Sequence, residues 1–230
     1  MLPDFTPRAL VFDCDGLLLD TESLWNRTQQ AVLADYGTTL TDEQEAAIMG
    51  TTLHDTATII AGAAGRSVEQ VKSDVSEHFT RSLHGSIEVM PGARELLASL
   101  HGRIPMAVAS NSSPDELQLK LEEGGLIGFF DSLHSAGSVE RPKPAPDMYL
   151  AAARDLGVEP EHCLAFEDSP VGGRAAKAAG MRLVGIPSTA LPVDVADVQV
   201  QSLCDPRLIE YLADRLGAVP FTAEETPDHD

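Results

Sequence analysis

The chain has 230 residues, enough for one large domain or two small ones, and its apolar content of 43% is ordinary for a globular protein and too high for a disordered one. Its 36 acidic residues outnumber 16 basic ones, giving a net charge of −20 that argues against a nucleic-acid backbone or an anionic membrane surface as partner, since both require clustered Lys and Arg. The same charge repels anions at long range, so an anion site here has to be built locally from a metal, a few basic groups and backbone N–H groups.

Residues 1–7 read as a lead-in. Ala9 to Asp13 is a strand candidate: an apolar run that ends abruptly in Asp13 and Asp15, with Gly16 behind them. From Thr21 to Ser86 the pattern turns helical. Thr21-Glu22-Ser23 can start a helix, Thr41 and Gln44 fit a capping box, and 54–65 and 68–83 read as two further helices. No strand pattern interrupts this block, which is expected to be an all-α insertion placed after the first strand.

After Met90-Pro91-Gly92 strands and helices alternate. Helices are expected at 93–100, 114–123, 146–156, 171–179 and 207–216, with strands at 104–109, 133–135, 163–166 and 182–186. Ser113-Pro114-Asp115-Glu116 is a strong helix start, with Ser as N-cap and Pro in the first turn. Such alternation implies a doubly wound, mostly parallel α/β sheet covered on both faces. The expected organisation is an α/β core from 1–20 and 87–220, a helical cap at 21–86, and an acidic tail at 221–230. Cys14, Cys163 and Cys204 form no CxxC pair, and their odd number suggests neither a disulfide framework nor a zinc site. This fits a reducing cytoplasm, the expected location. Cys14 lies between two aspartates, which raise a thiol pKa, so it reads as packing. No apolar run is long enough to span a bilayer, and the N-terminus lacks a basic region followed by an apolar core. The chain is expected to act as a monomer or weak homodimer.

In a parallel sheet the C-terminal strand ends share one edge, where ligands bind. Here those ends carry Asp13 and Asp15, then Ser110 and Asn111, then Lys143 within Arg141-Pro142-Lys143-Pro144, then Glu167 and Asp168. Clustered carboxylates repel unless a cation holds them, and hard oxygen ligands favour Mg²⁺. A divalent metal, a lysine and a serine hydroxyl together make a phosphate site. One carboxylate is then free to attack phosphorus, and a second, two residues on, can give a proton to the leaving alkoxide and take one from water.

DCDG, SNSS, RPKPAPD and FEDSPVGGRAAKAAGM, in this order, resemble the four motifs of the haloacid dehalogenase superfamily, with the likeness running from Ala9 to Ile186. The insertion between the first two resembles the helical cap of the branch that holds small-molecule phosphatases and β-phosphoglucomutase. The resemblance implies that Asp13 is the nucleophile and a Mg²⁺ ligand, and that Asp15 is the general acid/base with its backbone carbonyl on the metal. It implies that Ser110 and Lys143, helped by the Asn111 N–H, hold the phosphoryl group. Asp168 resembles the carboxylate metal ligand, and Glu167 is either an outer ligand or a hydrogen-bond partner of Lys143. The run Gly172-Gly173-Arg174-Ala175-Ala176 lets a helix pack closely on the sheet and is not a nucleotide fingerprint.

The cap is expected to choose the substrate, a small phosphorylated metabolite. Its candidate contacts are Trp25, Gly50, Thr51, Thr52 and His54, although Trp25 also reads as a cap-core aromatic and His54 as an exposed loop residue. Where β-phosphoglucomutase carries a lysine and an arginine for a second phosphate, this chain has Met49 and Leu53. The implied activity is therefore Mg²⁺-dependent hydrolysis of a sugar or polyol phosphate through an aspartyl-phosphate. The alternatives are a β-phosphoglucomutase-like isomerase and a non-catalytic sugar-phosphate-binding module.

Overall fold

A computed structural model describes residues 5–48, 53–85, 87–189 and 191–217, with the side chain of Ala46 left aside. The expected substrate contacts Gly50, Thr51 and Thr52, and the acidic tail, lie outside the described residues. The chain divides into two compact units: one formed by residues up to Asp20 and from Glu88 onward, the other by Thr21–Ile87.

The first unit is built on a six-stranded sheet in the order β3-β2-β1-β4-β5-β6, with every paired strand parallel. The strands are β1 (Ala9–Phe12), β2 (Met106–Ser110), β3 (Ser132–Ser135), β4 (Cys163–Glu167), β5 (Arg182–Gly185) and β6 (Val198–Gln199). The α/β class expected from the alternating pattern is the one observed. The two-residue β6 was not expected from the sequence; it is an edge strand too short to carry an alternation signal. The chain runs from β1 outward to β2 and β3, then returns to place β4 on the other side of β1. The strand order therefore reverses between β1 and β4, and in open α/β sheets ligands sit beyond the C-terminal strand ends at such a point.

Alternation along β1 decides its two faces. Ala9 and Val11 join Ala107, Ala109, Cys163 and Ala165 in a core closed by α7 (Asp147–Asp155) and α8 (Pro170–Ala178) through Met148, Tyr149, Ala152, Ala175 and Ala176. Phe12 faces the other way and stacks on Phe166, ring centroids 4.6 Å apart. All four β1 residues are fully buried, and burying Phe12 alone contributes roughly 2–3 kcal/mol. The strand that delivers Asp13 is thus packed from both sides.

The second unit contains α1 (Thr21–Asp35), α2 (Asp42–Ile48), α3 (Leu53–Ala64) and α4 (Val68–Leu83). The Thr41–Gln44 capping box forms reciprocally, with Thr41 N–H on Gln44 Oε1 at 3.0 Å and Gln44 N–H on Thr41 Oγ1 at 3.3 Å. Val71, Val75, Phe79 and Leu83 make the buried stripe of α4 at a four-residue spacing. Among the described residues no helix is long and apolar enough to cross a membrane.

Candidate active site

Asp13 follows β1 directly, and its backbone N–H continues the ladder to the Phe166 carbonyl at 3.0 Å. The next residues turn sharply. Gly16 N–H bonds the Leu19 carbonyl at 2.9 Å, and Gly16 takes φ +77°. A Cβ at Gly16 would lie 2.4 Å from Asp168 Oδ2, so the turn accepts glycine for both its backbone and its closeness to Asp168.

Lys143 is the hub of one half of the site. Its Nζ donates to Asp13 Oδ1 and to Glu167 Oε1, each at 2.5 Å. Tyr149 Oη also donates to Glu167 Oε1, at 2.6 Å, and the Ser169 hydroxyl donates to Glu167 Oε2 at 3.2 Å. The Lys143 backbone is held by Asn111, whose amide side chain exchanges two hydrogen bonds with it. Glu167 is fully buried, and a Cβ on Gly172 would fall 1.7 Å from its Oε1. Gly173 is constrained less tightly, since a Cβ there would meet Val193 Cγ1 at 2.6 Å. The small-residue start of α8 thus leaves room for Glu167 and for the loop that covers the helix.

Asp15 sits in the other half. Its Oδ2 accepts from Ser110 Oγ at 2.9 Å and Ser112 Oγ at 3.0 Å, and its Oδ1 accepts from Lys120 Nζ at 2.7 Å. Lys120 lies on α6 (Pro114–Glu123), whose start is capped by Ser113. Asp168 accepts from Ser188 Oγ at 2.5 Å.

These contacts set the charges. Burial pushes the Asp13 carboxyl up; Lys143 opposes this, Glu167 and Asp168 reinforce it, and the result stands well above the usual carboxylate range. Burial and the charge of Glu167 push Asp168 up to about 7, against the pull of Ser188 and Lys143. Burial works upward on Asp15 too, but Lys120 and the hydrogen bonds from Lys120, Ser110 and Ser112 outweigh it and leave Asp15 below its ordinary value. Burial lowers Lys143, but Asp13 and Glu167 more than reverse this and keep it charged. Burial raises the Cys14 thiol, with Asp15 adding to it, as an anionic neighbourhood requires.

Asp13, Glu167 and Asp168 each offer a carboxylate oxygen within 4.8 Å of the others. Three buried carboxylates share one lysine, and two of them are driven toward the neutral form. That charge imbalance and the all-oxygen donor set fit a hard divalent cation. The Asp15 side chain is engaged elsewhere, by Ser110, Ser112 and Lys120.

Of the expected site residues, the fold therefore brings Asp13, Lys143, Glu167 and Asp168 together, sets Asp15 on Ser110, and uses Asn111 to brace Lys143. In the helical unit, Trp25 is half-buried against that unit's own cluster of Val32, Ile60, Val71 and Val75 and packs edge-on against Phe79 at 5.1 Å, while His54 is exposed in the first turn of α3. Sequence reasoning missed Ser112, Lys120, Tyr149, Ser169 and Ser188. One signal was available: Lys120 falls on the stripe Leu117, Lys120, Leu121, the buried face of α6.

The sequence profile of the haloacid dehalogenase-like hydrolases matches residues 10–186. The chain belongs to this family. A (DL)-glycerol-3-phosphatase from Arabidopsis thaliana is 35% identical over 224 residues, covering 92% of this chain and 74% of that one. A fructose-1-phosphate phosphatase from Escherichia coli is 34% identical over 180 residues, covering 77% and 95%. The crystal structure of a candidate β-phosphoglucomutase from Thermotoga maritima superposes with a TM-score of 0.80 at 29% identity, covering 90% of this chain and 99% of that one.

Proposed function

We propose that this hydrolase is a Mg²⁺-dependent phosphatase of small sugar or polyol phosphates, working through an aspartyl-phosphate on Asp13. The observation that carries the reading is the shared hold of one buried lysine, Lys143, on Asp13 and Glu167 beside Asp168. Relatives named for glycerol 3-phosphate and fructose 1-phosphate support the substrate class.

Asp13, Glu167 and Asp168 would hold the Mg²⁺, which when bound offsets charge on the phosphoryl oxygens. An oxygen of Asp13 attacks phosphorus in line, and the bond to the leaving oxygen breaks as Asp15 gives that oxygen its proton. Lys143 and Ser110 hold the phosphoryl oxygens. Asp15, now a base, takes a proton from water. The water oxygen attacks phosphorus, releases inorganic phosphate and restores Asp13. The negative charge of a bound phosphomonoester favours the protonated form of Asp15, opposing Lys120. Three free cysteines fit a reducing cytoplasm as the place of action.

Phosphate release from a panel of sugar, polyol and nucleotide monophosphates, with Mg²⁺ and with chelator, tests this reading. Turnover confined to small phosphates in the presence of Mg²⁺ is expected; release of no phosphate from any of them would overturn it. The likeness to a candidate β-phosphoglucomutase favours a second reading, an isomerase. Glucose 6-phosphate formed from β-glucose 1-phosphate and a trace of bisphosphate, without inorganic phosphate, would select that one.

A further inference from the structure

Lys120 occupies a position where packing alone would favour an apolar residue. It is 3% exposed and lies between Leu117 and Leu121 on the buried face of α6. Burying an ammonium is costly unless its donors are matched. Here they are. Nζ reaches Asp15 Oδ1 at 2.7 Å, Ser112 Oγ at 2.9 Å and Glu116 Oε1 at 2.6 Å. An ammonium has three N–H donors, and these are three acceptors.

The three contacts have different anchors. Glu116 is one turn earlier on the same helix, so it ties the ammonium to α6 itself. Ser112 lies in the turn after β2 and also donates to Asp15 Oδ2 at 3.0 Å. The Lys120 side chain leans toward the helix N-terminus, as helical side chains do, and that is where β2 ends. One oxygen of Asp15 is thus fixed by α6, and the other by Ser110 and Ser112 at the end of β2. Gripping the two oxygens from different elements sets both the position and the rotation of the carboxylate. The other buried lysine of the site, Lys143, holds Asp13 and Glu167 instead, so the two aspartates have separate cationic partners.

We propose that Lys120 is a positioning residue for Asp15: braced by Glu116 and Ser112, it fixes the carboxylate where that group exchanges a proton with the leaving oxygen. This rests on the reading of Asp15 as the proton carrier. It predicts a dependence on the leaving group. An alkoxide must be protonated as it departs, whereas 4-nitrophenolate departs as a stable anion.

The experiment compares first-turnover rates on 4-nitrophenyl phosphate and on glycerol 3-phosphate or fructose 1-phosphate, whichever of the two is turned over faster. The proteins are the parent, Asp15→Asn, Lys120→Gln, Lys120→Arg and Ser112→Ala, with the fold of each checked by thermal melting. Lys120→Gln should lose on the order of 100-fold on the alkyl phosphate and less than about tenfold on the aryl one. Lys120→Arg, which keeps a charged donor, should recover part of the difference. Equal losses on both substrates, or none, in a folded Lys120→Gln would overturn the proposal. If Lys120→Gln does not fold, Ser112→Ala decides: it should shift the same ratio in the same direction, and an unchanged ratio would overturn the proposal. Asp15→Asn separates the role of Asp15 from that of Lys120. If it lacks the leaving-group dependence, the role of Asp15 fails; if it has it and Lys120→Gln does not, only the role of Lys120 fails.

Discussion

Asn111 and Lys143 hold each other by two hydrogen bonds: the Lys143 backbone N–H donates to Asn111 Oδ1 at 3.0 Å, and Asn111 Nδ2 donates to the Lys143 carbonyl at 3.2 Å. The two residues lie on loops beyond different strands, so the pair locks one loop to the other. It fixes the backbone from which the Lys143 ammonium reaches Asp13 and Glu167. Asn111→Ala removes this lock and leaves every charge in place. Each such bond is worth about 1 kcal/mol, so losing both should lower kcat/KM by up to about 30-fold, without loss of Mg²⁺ dependence. Steady-state kinetics check this, and unchanged kcat/KM would contradict it.

Gly172→Ala tests the closeness of α8 to Glu167. The added methyl would sit 1.7–2.2 Å from the Glu167 carboxyl group, which is fully buried and cannot retreat without leaving Lys143 and Tyr149. A cost of roughly 2–4 kcal/mol is expected, with loss of activity to match. Gly62→Ala is the contrasting variant. Gly62 is exposed within α3, and a Cβ there meets nothing within 4 Å. It should stabilise by roughly 0.5–1 kcal/mol. Thermal or urea unfolding distinguishes opposite signs, and equal shifts would contradict the packing argument.

The raised Asp168 predicts how the metal-free protein responds to pH. Its folded pKa is about 7 against an ordinary 3.8, so the folded state binds this proton more tightly than the unfolded state. The associated stability is therefore fully present below about pH 4 and is lost as pH rises toward 7. Asp13 is shifted in the same direction. Asp205, lowered to about 2 first of all by its hydrogen bonds from Arg207, acts in the opposite sense but below this window, and His134, lowered by burial, opposes the two carboxyls within it as a single group. In chelator the melting temperature should fall by at least about 3 °C between pH 5 and 7.5, and Mg²⁺ or Asp168→Asn should flatten the slope. A melting temperature that rises with pH in chelator would contradict the carboxylate cluster as described.

What was legible in the sequence divides along physical lines. The buried run of β1, the Thr41–Gln44 box and the Ser113-Pro114 helix start are local patterns, and each appears as an element or a cap at the expected place. The strand-end residues were legible because a parallel sheet brings its C-terminal ends to one edge. The partners of Lys120, Tyr149 and Ser188 were not, because each is acquired through packing between segments far apart in the chain: Lys120 with Asp15, Tyr149 with Glu167, Ser188 with Asp168. Tyr149 packs from α7 into the core beneath β1, and its hydroxyl bond to Glu167 is set by how that helix meets the sheet. Trp25 shows the limit from the other side: it reads first as a cap-core aromatic and second as a sugar platform, and its edge-on contact with Phe79 is the packing the first reading expects.

In the proposed reaction Asp13 carries the phosphoryl group. The most direct measurement is acid quenching during turnover of a phosphomonoester with Mg²⁺, followed by peptide mapping by mass spectrometry, in the parent and in Asp13→Asn. A phosphate adduct on Asp13 is expected in the parent, and neither adduct nor turnover in the variant. An adduct on another residue, or full turnover by Asp13→Asn, would contradict it.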